Sequence, residues 1–378
     1  MGLRRALALQ QADRLGVFAI TGGGSGLISE ILSTPGASKS VLEVTVPYAT
    51  GALASYLGGA PEQACSQATA RALAMAAFQR ARHLSAPHGE RAQSRCFGLA
   101  CTASLATDRP KRGRYRAHLA LQTTVESIDC LVELSPRKAR AGHEEDLIAA
   151  LWQLLAEGFS LPIRTRSAAE VSITRTRARV GWRHLVLGEA HCEAAAGFAT
   201  GTTAPPPALL LPGSFNPLHA GHRDMLSHAE ATLGLTGAFE LSIQNVDKPP
   251  LDYTTIRERL KPFQGRRSAG PIWLTRLPTF IEKAQAFPGV VFAVGADTIV
   301  RVGMSKYYGS DVGLKRALYE LAEQEVKFLV FGREVDGQFK TLQQLDIPAA
   351  LRRLCIGVSK RDFESDLSST ALRSASQP

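Results

Sequence analysis

The sequence lacks long hydrophobic runs and paired cysteines. No apolar stretch approaches the roughly 20 residues that a membrane helix requires. Polar residues between Gln10 and Arg14 interrupt any signal-peptide core near the N-terminus. The six cysteines show no CxxC spacing, so neither a disulfide framework nor a zinc site is indicated. We therefore expect a cytoplasmic protein with reduced thiols, no membrane partner and no metal site built from protein ligands.

Basic residues are in moderate excess over acidic ones. The net charge is +10, while the charged fraction of 21% and the hydrophobic fraction of 45% are those of an ordinary globular protein. Basic residues cluster at 109–116 and again at 164–179, which is compatible with nucleic-acid binding. No aromatic stacking pattern accompanies these clusters. We therefore expect solvated strand faces and small phosphate-bearing ligands, and no nucleic-acid partner.

A strand–turn–helix crossing is predicted at residues 208–233. The apolar run 208–211 is typical of a buried strand, and residues 223–233 can form an amphipathic helix. Between them, residues 213–222 read GSFNPLHAGH. Backbone amides at such a helix N-terminus point towards an incoming anion. His219 and His222 are three residues apart and share one face, where imidazole can donate to phosphate oxygens.

This decapeptide resembles the GxFxPxHxGH signature of the nucleotidylyltransferase superfamily and matches it at every fixed position. The resemblance implies that a nucleotide phosphate attacks the α-phosphorus of a nucleoside triphosphate in line, with pyrophosphate as the leaving group. In this scheme His219 and His222 are catalytic, and the donor is ATP with Mg²⁺ bound through its phosphates. The nucleotide-binding residues implied at this turn are Gly213, Ser214, Phe215, Asn216 and Gly221.

A second segment near the C-terminus resembles another motif of the same superfamily. Residues 367–373 read LSSTALR, which is similar to ISSTxxR with Leu in place of Ile. Small hydroxyl residues there can open a helix that holds phosphate, and an arginine one turn later can reach the same oxygens. The resemblance assigns nucleotide binding to Ser368, Ser369 and Thr370, and a catalytic role to Arg373.

Strands and helices alternate throughout the second half, which predicts a Rossmann-like parallel sheet with helices on both faces. Residues 294–297 look like the GAD segment of nicotinamide and nicotinate mononucleotide adenylyltransferases, which assigns acceptor binding to Gly295 and Asp297. A helix-capping role is the alternative for Asp297. Lys248 lies in a segment similar to the turn after their second strand, and the resemblance implies that it neutralises a phosphate during catalysis.

The first half contains a glycine-rich turn, residues 22–26, directly after an apolar strand. With the segments 46–48 and 98–100, it resembles the CinA C-terminal domain, the family of nicotinamide-nucleotide amidases, over residues 5–160. The resemblance implies a CinA-type α/β domain. The proposed nucleophilic serine of that family corresponds to Ala19, whose methyl group cannot attack an amide. We expect a degenerate domain that binds a ligand, oligomerises or regulates, with Thr21 or Ser25 as an alternative nucleophile.

Taken together, the sequence predicts an α/β protein of two domains. Residues 1–160 form the CinA-like domain, 161–207 a connecting segment with a Pro-rich linker, and 208–378 the nucleotidylyltransferase domain. The favoured function is adenylyl transfer from ATP to nicotinamide or nicotinate mononucleotide, a step of NAD biosynthesis. The partners are small-molecule nucleotides, and a homo-oligomer could form through the N-terminal domain. Adenylyl or cytidylyl transfer to another phosphate acceptor, amidase activity and nucleotide sensing are the alternatives.

Overall fold

The computed structural model describes residues 2–108, 113–165, 167–196, 204–265, 269–335 and 338–363. Packing divides the chain into two compact units. The first comprises the described residues of Met1–Leu187 and Asp247–Ile256, and the second comprises those of Gly188–Val246 and Arg257–Pro378. Each unit holds one large sheet together with helices, so the predicted α/β fold with two sheet-bearing parts is confirmed.

The first unit is built on a six-stranded mixed sheet. Its strands are β1 (Leu15–Thr21), β2 (Val41–Thr45), β3 (Cys96–Ser104), β4 (Arg116–Thr123), β5 (Glu126–Glu133) and β6 (Glu170–Arg177). Their order is β2-β1-β3-β4-β5-β6. β1 pairs in parallel with β2 and β3, whereas β3 to β6 are antiparallel neighbours. The helices are α1 (Gly2–Gln11), α2 (Ser25–Leu32), α3 (Thr50–Leu57), α4 (Gln67–Ser85), α5 (Glu90–Ser94), α6 (Arg140–Phe159) and α7 (Val180–Leu187).

Both faces of this sheet are covered by helices. On one face Phe97 packs edge-on against Phe18 and Phe159, with ring centroids 5.5 and 4.9 Å apart, in a core shared with α1, α2 and α6. On the other face α4 lies directly against β3. Gly98 permits this close approach, because a Cβ at that position would lie 2.1 Å from the carbonyl oxygen of Ala74.

The second unit is built on a seven-stranded sheet of order β15-β12-β11-β8-β9-β10-β7. Its strands are β7 (Cys192–Ala196), β8 (Leu209–Pro212), β9 (Gly237–Ser242), β10 (Ile272–Thr275), β11 (Val291–Gly295), β12 (Lys327–Phe331) and β15 (Cys355–Gly357), beside a small hairpin of β13 (Arg333–Val335) and β14 (Gln338–Lys340). The helices are α8 (Ala220–Leu233), α9 (Tyr253–Leu260), α10 (Phe280–Ala286), α11 (Ala296–Val302), α12 (Asp311–Glu323) and α13 (Ala349–Arg352). α9 begins in the Asp247–Ile256 segment of the first unit.

The strands of this sheet run parallel except at one edge, where β7 pairs antiparallel with β10. Alternating residues of β12 contact different helices. Phe328 and Val330 lie in the core shared with α10, α11 and α12, whereas Phe331 contacts the ring of His228 on α8. Helices therefore cover both faces, as the sequence predicts. Within the described residues, no helix is both long enough and apolar enough to cross a membrane.

Residues Asp247–Ile256 pack with the first unit, although they lie in the sequence of the predicted second domain. Tyr253 is fully buried. Its hydroxyl donates to the carbonyl oxygen of Thr124 at 2.9 Å, and its backbone N–H donates to Oγ of Ser127 at 3.0 Å. This segment is thus part of the core of the first unit.

A buried ionic cluster lies beside Tyr253 in the first unit. Arg71 lies 3.7 Å from a carboxylate oxygen of Asp129 and 3.4 Å from one of Asp252. All three side chains are at most 10% exposed. The hydroxyl of Thr254 donates to Asp129 at 3.2 Å. Because burying a charge without a partner is costly, this cluster fixes the segment in one place.

The segment 161–207 contains more regular structure than a connecting segment would. β6 and α7 belong to the first unit, and β7 is an edge strand of the second. Packing divides the chain here between Leu187 and Gly188, whereas the domain bounds at residues 160 and 207 stay a prediction of the sequence. Residues 197–203, in the predicted linker, lie outside the described part of the chain.

Candidate functional site

The candidate site lies at the carboxyl end of β8, where the order of strands reverses. From β8 the chain adds β9 and β10 on one side, then returns to add β11 and β12 on the other. In an open parallel sheet this topological switch point leaves a crevice in which ligands bind. Residues 213–222, the ten-residue motif, form the loop from β8 into α8 at this position.

The first half of the loop is held in shape by packing around one aromatic ring. The N–H of Gly213 donates to the carbonyl oxygen of Glu240 on β9 at 2.9 Å. Phe215 is buried and adopts a left-handed backbone conformation with φ of +45°. Its ring packs edge-on against Phe239 and Phe263 at 5.4 and 5.7 Å. A Cβ on residue 213 would lie 2.5 Å from this ring, which explains the glycine.

The other residues of the turn face solvent or the helix. Ser214 and Asn216 are exposed, whereas Gly221 is buried in the first turn of α8. The carbonyl oxygen of Ser214 accepts a hydrogen bond of 2.7 Å from Nη1 of Arg259 on α9. Arg259 was not predicted as part of the site, because nothing in its local sequence links it to a loop 45 residues earlier.

His219 and His222 meet at the N-terminus of α8. Their ring centroids are 3.8 Å apart with 33° between the planes. The backbone N–H of His219 donates to Nδ1 of His222 at 3.3 Å, so the hydrogen bond assigns the proton of a neutral His222 to Nε2. Both ring nitrogens of His219 are buried and have no hydrogen-bond partner among the described residues. Buried polar atoms without a partner are rare, so these two nitrogens distinguish the start of α8.

The surroundings of both histidines lower the pKa of the imidazole. Burial, the neighbouring His219 and the charge of Arg333 together lower the pKa of His222 from 6.5 to about 3. Burial and the charge of Arg333 also lower the pKa of His219. A lowered pKa favours the neutral imidazole, which can both donate and accept a hydrogen bond.

Gly295 and Asp297 lie where β11 runs into α11, at the same edge of the sheet as the histidines. Gly295 occupies the N-cap position of α11, and Asp297 is exposed in its first turn. The side chain of Arg333, the first residue of β13, lies over this turn, with Nε 3.2 Å from the position that a Cβ of residue 295 would take. Arg333 was not predicted from the sequence, although its place directly after a buried strand is a signal that could have identified it.

The roles of the remaining predicted residues stay predictions. Lys248 belongs to the segment that packs with the first unit, so its role stays a prediction. Ser368, Ser369, Thr370 and Arg373 lie outside the described residues. Within the described part of the chain, no three His, Cys, Asp or Glu side chains are grouped to hold a metal ion.

The glycine-rich turn of the first unit contrasts with the turn at β8. The carboxylate of Glu144 accepts a 2.7 Å hydrogen bond from the N–H of Gly24, directly before α2. Arg140 donates to the carbonyl oxygen of Gly22 at 3.2 Å. Ala19 is fully buried in β1. An anion that approached the Gly24 amide would have to displace a carboxylate of the protein itself.

Comparison with known proteins agrees with the features of the site at β8. Residues 210–375 match the family model described as Cytidylyltransferase-like. This part of the chain is therefore an enzyme domain of the nucleotidyltransferase type, as the sequence predicts. A comparison with curated protein sequences gave no significant match.

Solved structures of CinA-type proteins are similar to part of the chain. The competence/damage inducible protein CihA from Agrobacterium tumefaciens is 19% identical over 42% of this chain and 93% of its own, with a TM-score of 0.35. A competence-damaged protein (CinA) superfamily protein from Escherichia coli is 17% identical over 42% and 88%, with a TM-score of 0.33. A further superfamily member from Klebsiella pneumoniae is 15% identical over 41% and 96%, with a TM-score of 0.28.

Proposed function

We propose that the second unit transfers the adenylyl group of ATP to nicotinamide or nicotinate mononucleotide, with release of pyrophosphate. The observation that carries this proposal is the stacked pair His219 and His222 at the N-terminus of α8. Helix amides and imidazole N–H groups both favour phosphate. The nitrogens of His219 are buried and have no partner among the described residues, so a phosphate that reached them would supply hydrogen bonds that the protein does not.

The chemistry requires positioning and charge stabilisation and no nucleophilic side chain. An oxygen of the acceptor phosphate attacks the α-phosphorus of ATP, and the bond from that phosphorus to the bridging oxygen of the β-phosphate breaks. Nε2–H of His222 donates to a phosphate oxygen, since Nδ1 is occupied by the N–H of His219. Mg²⁺, held by phosphate oxygens and water, neutralises part of the charge when bound. Ser369, Thr370 and Arg373 would hold the β- and γ-phosphates.

The identity of the acceptor rests on sequence resemblance. Gly295 and Asp297 belong to a segment similar to that of pyridine mononucleotide adenylyltransferases, and the first half resembles amidases that act on nicotinamide nucleotide. Both resemblances concern the same metabolite. The exposed carboxylate of Asp297, at the carboxyl edge of β11, is able to accept hydrogen bonds from an acceptor nucleotide.

A second candidate is cytidylyl transfer, favoured by the description of the matching family as Cytidylyltransferase-like. The same histidine pair would serve that reaction, because the triphosphate is common to ATP and CTP. The two candidates differ only in the base of the donor and in the acceptor. Product analysis therefore separates them.

The test is pyrophosphate release with Mg²⁺, in which ATP and CTP are each combined with nicotinamide mononucleotide, nicotinate mononucleotide and phosphopantetheine. We expect turnover with ATP and a pyridine mononucleotide. His222→Ala should lower the rate about 10²- to 10³-fold, the usual effect of removing one donor to a developing charge. His228→Ala, on the same helix but against Phe331, is the matched control and should retain the rate.

The outcomes are distinguishable. Turnover only with CTP or with another acceptor would keep the site and reject the adenylyl transfer to a pyridine mononucleotide. A folded His222→Ala protein with the full rate would reject the histidine mechanism altogether.

A further inference from the structure

Arg333 occupies a position that the sequence motifs do not mark. It opens β13 directly after β12, the strand next to β11, and lies opposite Lys340 in the small hairpin with β14. Its backbone therefore lies at the carboxyl edge of the sheet. This is the edge at which β8 delivers the histidine pair and β11 delivers Gly295.

The side chain of Arg333 reaches across two elements of this edge. Nε and Cγ lie 3.2 and 3.3 Å from where a Cβ of residue 295 would be, so the side chain passes directly over that turn. Nη2 lies 3.9 Å from Sδ of Met225 on α8. The guanidinium therefore lies between the segment that resembles an acceptor site and the helix that carries His219 and His222. Oδ1 of Asp297 lies closer still, 2.5 Å from that Cβ position, so the glycine at 295 leaves space for both side chains.

The charge of Arg333 acts on both histidines. Burial and the charge of Arg333 lower the pKa of each imidazole, which disfavours a positive charge on the histidines themselves. A guanidinium stays protonated at every pH at which the protein is folded. Its planar fork can donate two parallel hydrogen bonds to phosphate oxygens. A site for two anionic nucleotides needs such a permanent cation.

We propose that Arg333 is a phosphate-binding residue of this site, and that it contacts the donor triphosphate at its α-phosphate end. The α-phosphorus must lie between the two substrates, since the acceptor attacks it, and Arg333 lies between the elements predicted to hold them. The inference rests on the proposed function, which supplies both the nucleoside triphosphate and the acceptor that attacks it.

The test uses inorganic tripolyphosphate as the probe and the full chain as the protein, with binding measured by calorimetry at pH 7.5. Arg333→Gln should weaken binding about 10- to 100-fold, the value of charge-assisted hydrogen bonds. Arg333→Lys should recover part of the affinity, because it restores the charge without the fork. Arg316→Gln is the matched control, because that arginine is 82% exposed and pairs with Glu320 on α12.

Pyrophosphate release by the same variants separates this inference from the proposed function. Binding that depends on Arg333 without turnover of any nucleotide pair would keep the phosphate site and reject the proposed reaction. Turnover and tripolyphosphate affinity that are unchanged in Arg333→Gln would overturn the inference and leave the reaction intact. If Arg333→Gln does not fold, Arg333→Lys decides, since wild-type affinity and rate in that variant would contradict a role for the guanidinium fork.

Discussion

Replacement of Tyr253 by alanine should destabilise the first unit, although this residue lies within the part of the chain that matches the transferase family. Its side chain is completely buried. The hydroxyl donates to the carbonyl oxygen of Thr124, in the turn between β4 and β5, at 2.9 Å. The substitution removes a ring from the core and leaves a buried carbonyl without its donor.

The expected magnitude follows from these two losses. Truncation of a fully buried aromatic ring to alanine costs about 3–5 kcal/mol in the free energy of unfolding. Loss of the hydrogen bond to Thr124 alone costs about 1–2 kcal/mol, which Tyr253→Phe measures separately. Tyr319, which is 66% exposed on α12, offers the control, and Tyr319→Phe should change stability by less than about 0.5 kcal/mol.

Urea unfolding followed by tryptophan fluorescence can report on each unit separately. Of the three tryptophans, Trp152 and Trp182 lie in the first unit and Trp273 in the second. In a Trp273→Phe background the fluorescence reports the first unit, and its unfolding midpoint should fall strongly with Tyr253→Ala. A midpoint equal to that of the parent protein would refute the assignment of this segment to the first unit.

Two further predictions concern buried charge and pH. Lys283→Met should lower the free energy of unfolding of the second unit by about 3–5 kcal/mol, because the fully buried carboxylate of Glu240 loses the ammonium that lies 2.5 Å away. The double variant Lys283→Met with Glu240→Leu should recover most of this loss. Urea unfolding measures both. Burial and Arg116 lower the pKa of His118 from 6.5 to about 4, so the native protein binds fewer protons than the unfolded chain below pH 6.5. The contribution of this residue to stability is therefore complete above pH 6.5 and is lost as the pH falls towards 4. The loss of stability between pH 7.5 and pH 5 should amount to about 1 kcal/mol after allowance for partial exposure. Unfolding measured at these two pH values should therefore show a smaller difference for His118→Gln than for the parent protein.

Each of these two predictions has an outcome that contradicts it. If Lys283→Met is as stable as the parent protein, the pair does not stabilise the sheet. An unchanged pH dependence in His118→Gln would mean that this histidine titrates at its ordinary pKa in the native state.

Each unit contains a turn between a strand and a helix, and the two turns differ in whether their polar groups have a hydrogen-bond partner within the protein. At Gly24 the amide before α2 already donates to Glu144, a carboxylate of the same unit. At α8 the corresponding helix start carries His219, whose ring nitrogens have no partner in the described part of the chain. A ligand that binds at the first turn must replace an existing hydrogen bond, whereas a ligand at the second turn can add hydrogen bonds to groups that have none. This difference favours the second unit as the one that binds phosphate.

The sequence by itself predicted the class of the second unit and the two histidines that meet at the start of α8. The motif from Gly213 to His222 is contiguous, and a strand, a tight turn and a helix start need only local interactions to form. The alternation of strands and helices likewise determined the parallel sheet. The expectation that the first unit lacks an amidase nucleophile also came from the sequence alone, since it concerns the single position Ala19.

Only the tertiary structure decided which distant residues join these local elements. Arg333 reaches Gly295 through the packing of neighbouring strands, and Glu144 reaches Gly24 across 120 residues of sequence. Tyr253 packs into the core of the first unit, although it follows a strand of the second. Such contacts depend on how the sheets and helices assemble. The sequence around an apolar or charged side chain does not predict which distant residue it will contact. The chain order therefore predicts the elements, whereas their packing determines the units and the charge around the site.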